Sequence, residues 1–177
     1  ESLMQARARG ADVRFVYSPL DALKLAKENP SKEVIFFGIG FETTAPSTAA
    51  TLEAARVGNV ANFSVFSNTV ALEPPLQALI NGGDTNVDGF IAPGHVATIV
   101  GTKAFDFLPT QHNKPTVIAG FEPLDILQAV DMLLTQFLAR DLYGKPARVE
   151  NQYARVVSEQ GNAVALKLMS RVFEVRQ

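Results

Sequence analysis

The chain has 177 residues, 47% of them hydrophobic and 19% charged, with a net charge of −2, which is ordinary globular composition with material for one good core. Lys and Arg are scattered rather than gathered into a basic field, which argues against nucleic acid as a partner, and no apolar run reaches the roughly 18 residues of a membrane helix. Cysteine is absent, which removes disulfides, thiolate nucleophiles and sulfur-ligated metals from this stretch of sequence.

Short β-rich runs alternate with helical patterns along the chain. Strands are expected over residues 13–17, 34–39, 63–67, 89–92 and 116–119, and helices over 20–29, 47–57, 73–81, 95–102 and 124–138. The strand runs are short and apolar without alternation, as in strands covered on both faces. The expected fold is therefore α/β: an open parallel sheet of about five strands, doubly wound with helices on both faces. Pro19, Pro46 and Pro123 sit where first helical turns are expected, with Ser18 and Thr44 as candidate N-caps. Gly82-Gly83-Asp84 reads as the close of the third helix. After Leu142 the character changes: Tyr143-Gly144-Lys145-Pro146 reads as a linker before helices over 148–157 and 162–172. This divides the chain into an α/β domain, 1–142, and a helical C-terminal connector, 143–177, expected to pack on something outside this sequence. A start at Glu1 without a signal-peptide pattern reads as an excised piece of a longer, cytoplasmic chain.

Right-handed crossovers place all strand-to-helix turns at one edge of the sheet, where ligands of open α/β folds bind. Three of these turns carry chemistry. The tripeptide Gly-Phe-Glu occurs twice, at Gly40-Phe41-Glu42 and Gly120-Phe121-Glu122. The first copy continues into Thr43 and Thr44, whose hydroxyls and the following helix start could cradle a polar ligand. The bland reading weighs equally: Thr44 caps, Thr43 satisfies the loop, and Glu42 is solvated. No Gly-Lys-Ser/Thr follows, so this is not a phosphate-binding P-loop. The turn Pro93-Gly94-His95 puts an imidazole at a helix start, suited to proton transfer or ligand contact, or simply to capping the turn. The last turn adds Glu122 and Asp125, the latter also explicable as a first-turn acid favoured by the helix dipole. Together Glu42, His95 and Glu122 could form a carboxylate and imidazole metal site or an acid and base pair. Phe41 and Phe121 read as anchors holding the loops to the core, and His112 as a solvated loop residue.

Ile39-Gly40-Phe41-Glu42-Thr43-Thr44-Ala45-Pro46, Ile91-Ala92-Pro93-Gly94-His95-Val96 and Gly120-Phe121-Glu122-Pro123-Leu124-Asp125-Ile126-Leu127 closely resemble the HypD family of hydrogenase maturation proteins. Val16 to Ala26 and Val149-Glu150-Asn151-Gln152-Tyr153 with Arg155 extend the resemblance over nearly the whole chain. It implies a scaffold that assembles the Fe(CN)2CO centre of nickel–iron hydrogenases. A HypC-like chaperone and a HypE-like cyanide donor are the implied partners, and a 4Fe–4S cluster is implied for the full-length protein. The family's essential cysteines lie in motifs outside this sequence, so no metal or cofactor is expected on this segment alone. Glu42, Thr43, Thr44, Pro93, Gly94, His95, Glu122 and Asp125 are then expected to wall a cleft facing the cysteine-bearing part, with His95, Glu42 and Glu122 as candidates for proton handling. One departure is Thr69, where the family often has histidine, so that histidine's role does not carry over. Two other classes stay open: a docking module for maturation partners, and a stand-alone enzyme using Glu42 and Glu122.

Overall fold

A computed structural model describes residues 2–83 and 86–174. The chain is mixed α/β with parallel strands. After a first helix, α1 (Leu3–Ala8), the order is α2 (Pro19–Glu28), β1 (Val34–Gly40), α3 (Ala45–Val57), β2 (Phe63–Thr69), α4 (Glu73–Asn81), β3 (Phe90–Pro93) and α5 (Gly94–Val100). A 3-10 turn (Thr102–Phe105) then leads to α6 (Phe107–His112), β4 (Thr116–Ala119), α7 (Pro123–Tyr143), β5 (Val149–Asn151) and α8 (Ala163–Val172). The expected third-helix close is met at Gly82 and Gly83, while Asp84 lies outside the described residues.

The strands form two sheets instead of one. β1 pairs in parallel with β2, from Val34 opposite Phe63 to Gly40 opposite Thr69, and β3–β4–β5 form a separate parallel sheet. The segment 13–17 has strand composition but forms no strand: β pairing needs a partner strand, and among the described residues none pairs with it, although Val16 packs on the core of α2, α3 and β1–β2. The opposite correction applies to 148–157, which is not helical. Its start pairs with β4, Thr116 opposite Val149, as a three-residue strand that local pattern could not reveal.

The local signals explain most boundaries. Ser18 and Asp21 make a reciprocal capping box at the start of α2, with Pro19 just inside. Such a cap stabilises a helix by about 1 kcal/mol. Thr44 stands at the N-cap position of α3 but makes no side-chain cap; its hydroxyl instead donates to the Phe41 carbonyl, 3.1 Å away. Gly144, in the left-handed region at φ 62°, ends α7. His112 terminates α6 rather than lying in a loop, half-buried and hydrogen-bonded to Gln77 at 2.9 Å.

Two cores follow from the two sheets. Ala22, Leu23, Ala26, Ala55 and Phe63 join α2 and α3 to one face of β1–β2. Ala92, Val96, Phe105, Leu108 and Ile118 pack α5 and α6 on one face of the three-stranded sheet, and Ala129 of α7 covers Val117 and Ala119 on the other. All four residues of β4 are buried, which is why its sequence shows no alternation. The C-terminal part packs back on the chain: α8 lies against α3 and α5, with Arg171 reaching Glu53 at 3.3 Å. Gly101 and Gly161 let two loops touch, since a Cβ on Gly101 would meet the Glu159 carbonyl at 2.3 Å.

Candidate functional site

The chemistry-bearing turns separate into two groups, one at the carboxyl end of each sheet. In the first group, Gly40 ends β1 at φ 138°, a conformation open to glycine, and a Cβ there would lie 2.5 Å from the Thr44 hydroxyl. The chain then turns through Phe41 and Glu42 into α3. One oxygen of Glu42 accepts the Leu72 backbone N–H at 2.8 Å, which ties this turn to the start of α4. The other oxygen is buried without a hydrogen-bond partner among the described residues. A buried acceptor left unpaired costs about 1–3 kcal/mol, so this is an unmet demand for a donor. Glu42 also lines a cavity of about 230 Å³, whose other walls include Leu72, Val96, Val100, Phe105 and Phe107. Thr43 is exposed, and Thr69 ends β2 directly opposite Gly40.

The second group lies where β3, β4 and β5 end. His95, exposed in the first turn of α5, has Phe121 at 4.7 Å between ring centroids and Tyr153 at 6.1 Å. Arg155 stacks over the Tyr153 ring at 4.4 Å. Its guanidinium holds Asp125 in a two-pronged pair, at 2.8 and 2.7 Å, and Gln152 donates to the same carboxylate at 2.9 Å. The Arg155 hydrogen bonds, and after them the one from Gln152, hold the Asp125 carboxyl down at about 2, against the opposing effect of burial. Asp125 is thus a buried clasp between α7 and the segment after β5, with its carboxylate already occupied. Glu122 stands at the N-cap position of α7, well exposed, 3.9 Å from Arg155. Gly94 and Gly120 make room for this packing: a Cβ on either would fall within 2.8 Å of the Tyr153 ring.

The structure therefore joins Pro93, Gly94, His95, Glu122 and Asp125 in one neighbourhood and places Glu42, Thr43 and Thr44 in another. Val96, next to His95, lines the cavity that Glu42 faces. Among the described residues no three His, Cys, Asp or Glu side chains gather at metal-binding range, so the metal site read from Glu42, His95 and Glu122 is not formed. Phe41 and Phe121 are not buried anchors; both are exposed, and Phe121 serves as a face for His95. Gln152, Tyr153 and Arg155 belong to a stretch that carries the family resemblance but are not among the expected site residues, since they reach the site only because β5 pairs beside β4.

Parallel strands whose carboxyl ends carry polar and aromatic side chains on Gly-bearing turns define a crevice-forming α/β scaffold. Comparison with known proteins resolves the class further. A family model for HypD, described as "Hydrogenase formation hypA family", matches residues 1–177, and the chain belongs to this family. It is 51% identical to the hydrogenase maturation factor HypD of Escherichia coli K12 over 97% of this chain and 45% of that protein. The HypD of Rhodobacter capsulatus is also 51% identical, over 99% of this chain and 45% of its own length. The hydrogenase expression/formation protein HupD of Azotobacter chroococcum is 49% identical over 99% of this chain and 46% of its own. The chain spans slightly less than half the length of these relatives. No helix of the described residues is long and apolar enough to cross a membrane.

Proposed function

We propose that the chain is the part of a HypD-type maturation factor that walls the iron-handling cleft, where the Fe(CN)2CO unit of nickel–iron hydrogenases is assembled. The iron unit is cargo, held by thiolates that these 177 residues do not contain. The segment supplies hydrogen-bonding groups around it. A HypC-like chaperone and a HypE-like cyanide donor are its partners.

The observation that carries this reading is the Glu42 carboxylate, with one oxygen fixed by Leu72 and the other buried and unpaired at the carboxyl end of β1. A group left with unmet hydrogen-bonding capacity marks a place completed by something else. Bound cyanide is an acceptor and needs donors, which the Thr43 hydroxyl and the His95 ring provide, while the Thr44 hydroxyl is committed to the Phe41 carbonyl; Glu42 supplies an acceptor for an incoming N–H, O–H or S–H. Glu122, exposed beside Arg155, is placed to exchange protons with solvent at the cleft edge. A 4Fe–4S cluster does not fit this segment, because it has no cysteine and no gathered His, Asp or Glu among the described residues. Its ligands belong to other sequence.

The test is hydrogenase activity in cells whose only maturation factor is the full-length polypeptide carrying His95→Ala, Glu122→Gln or Glu42→Gln. Each variant should fold, by circular dichroism, and fail to mature hydrogenase. Full maturation by both His95→Ala and Glu122→Gln would overturn the cleft assignment.

A further inference from the structure

The cavity that Glu42 lines is walled mainly by hydrocarbon, and the two charged side chains that reach it, Glu42 and the exposed Glu73, are both acids. No Lys, Arg or His lines it among the described residues. One Glu42 oxygen accepts the Leu72 N–H, and the other is buried and unpaired. A lone water would serve that oxygen poorly, because a buried water needs about two to four polar partners and the remaining walls offer mostly apolar side chains. A metal ion would need several oxygen ligands, and among the described residues no such group gathers.

The start of α4 closes the cavity to anions. A helix N-terminus attracts anions through its free N–H groups. Here the Leu72 N–H is taken by Glu42, Pro74 and Pro75 have none, and the Leu76 N–H donates to the Leu72 carbonyl at 3.3 Å. At most the Glu73 N–H is left. Two carboxylates with no cation and almost no donors select a ligand that brings both the positive charge and the donors.

We propose that this cavity binds a small organic ammonium ion with an apolar body, which donates an N–H to the free Glu42 oxygen and seats its hydrocarbon against Val96, Val100 and Phe105. Size narrows the class. An apolar cavity of roughly 150 Å³ accepts benzene, and this one measures about 230 Å³, which is room for one benzene-sized ring with a short amino arm. Phe105 and Phe107 add aromatic surface, which attracts a cation or a second ring. The site shares Glu42 with the iron-cleft reading and goes beyond it. Binding is measured without iron or hydrogenase, so either assignment can fail while the other stands.

The experiment titrates para-fluorobenzylamine, protonated at neutral pH, into the full-length polypeptide and follows it by fluorine NMR. Saturable binding is expected, with a Kd of about 0.1–1 mM for a ligand of this size. Para-fluorobenzyl alcohol, of the same shape but neutral, and para-fluorobenzoate, an anion, should each bind at least about tenfold more weakly. Glu42→Gln keeps the side-chain shape, removes the charge and should weaken the amine by about tenfold, while Val100→Phe fills the cavity and should abolish binding. Circular dichroism melts establish that both variants fold, and the comparison of amine, alcohol and benzoate on the unaltered polypeptide tests the proposal without them. Absence of saturable binding up to about 10 mM, equal affinity for amine and alcohol, or an unchanged Kd in Glu42→Gln overturns it.

Discussion

Replacing Gly94 with alanine adds one methyl group at the point where three strand ends meet. Its Cβ would lie 2.4 Å from the Ala119 carbonyl oxygen and 2.7 Å from a ring carbon of Tyr153. Comfortable contacts are about 3.5–4 Å, so the neighbours would have to retreat by roughly 1 Å, and one of them is backbone of the buried strand β4. Overpacking of this kind costs about 1–3 kcal/mol. For a chain of this size that lowers Tm by about 2–12 °C. Gly38 offers the opposite case. Its nearest neighbours would be Phe36 at 3.4 Å and Val65 at 3.6 Å, ordinary contacts, and its backbone is not in the left-handed region. Gly38→Ala should therefore be neutral or stabilise by up to about 1 kcal/mol, through the lower entropy of the unfolded chain. Thermal unfolding followed by circular dichroism compares the two. Equal losses in both variants, or a Gly94→Ala melt within about 1 °C of wild type, would refute the steric reasoning.

Three further outcomes are expected. Asp125 titrates at about 2 when folded against an ordinary 3.8, so the unfolded chain takes up its proton first as pH falls; its stabilising contribution is complete above about pH 4 and is lost towards pH 2. The urea midpoint of Asp125→Asn should lie below wild type at pH 6 and approach it at pH 2.5, whereas Asp12→Asn should show a much smaller gap, because the pairs of Asp12 with Arg14 and Lys32 are exposed and screened by solvent; a gap independent of pH at Asp125 would contradict this. Leu108, wholly buried among Ala97, Phe105 and Ile118, should lose about 2–5 kcal/mol of stability on Leu108→Ala, read from denaturant unfolding. Asn62 donates from its side-chain amide to the carbonyls of Ala26, Asn29 and Lys32, at 2.9, 3.1 and 2.8 Å, and Asn62→Ala should cost about 1–3 kcal/mol and speed hydrogen exchange at the end of α2.

Much of the site was legible because its residues sit on turns with strong local signatures. Gly40-Phe41-Glu42 and Gly120-Phe121-Glu122 each follow an apolar strand and precede a proline at a helix start, and both turns fall where expected. What these motifs could not reveal was company. Glu42 and Glu122 look equivalent in sequence, yet one follows a strand of the two-stranded sheet and the other a strand of the three-stranded one. Asp125 reads as a first-turn acid, and only the approach of Arg155, thirty residues later, makes it a clasp.

The sequence by itself determined the α/β alternation, the helix starts at Pro19, Pro46 and Pro123, the burial of β4 and membership of the HypD family, because local chemistry and long motifs carry those facts. Tertiary structure alone decided that the strands divide between two sheets, that 149–151 is a strand while 13–17 is not, and that Tyr153, with Arg155 stacked on it, stands beside His95. The physical reason is shared by all three. A strand exists only where a neighbour offers hydrogen bonds, and a side chain joins a site only where the backbone can come close, here through the bare Cα atoms of Gly94 and Gly120.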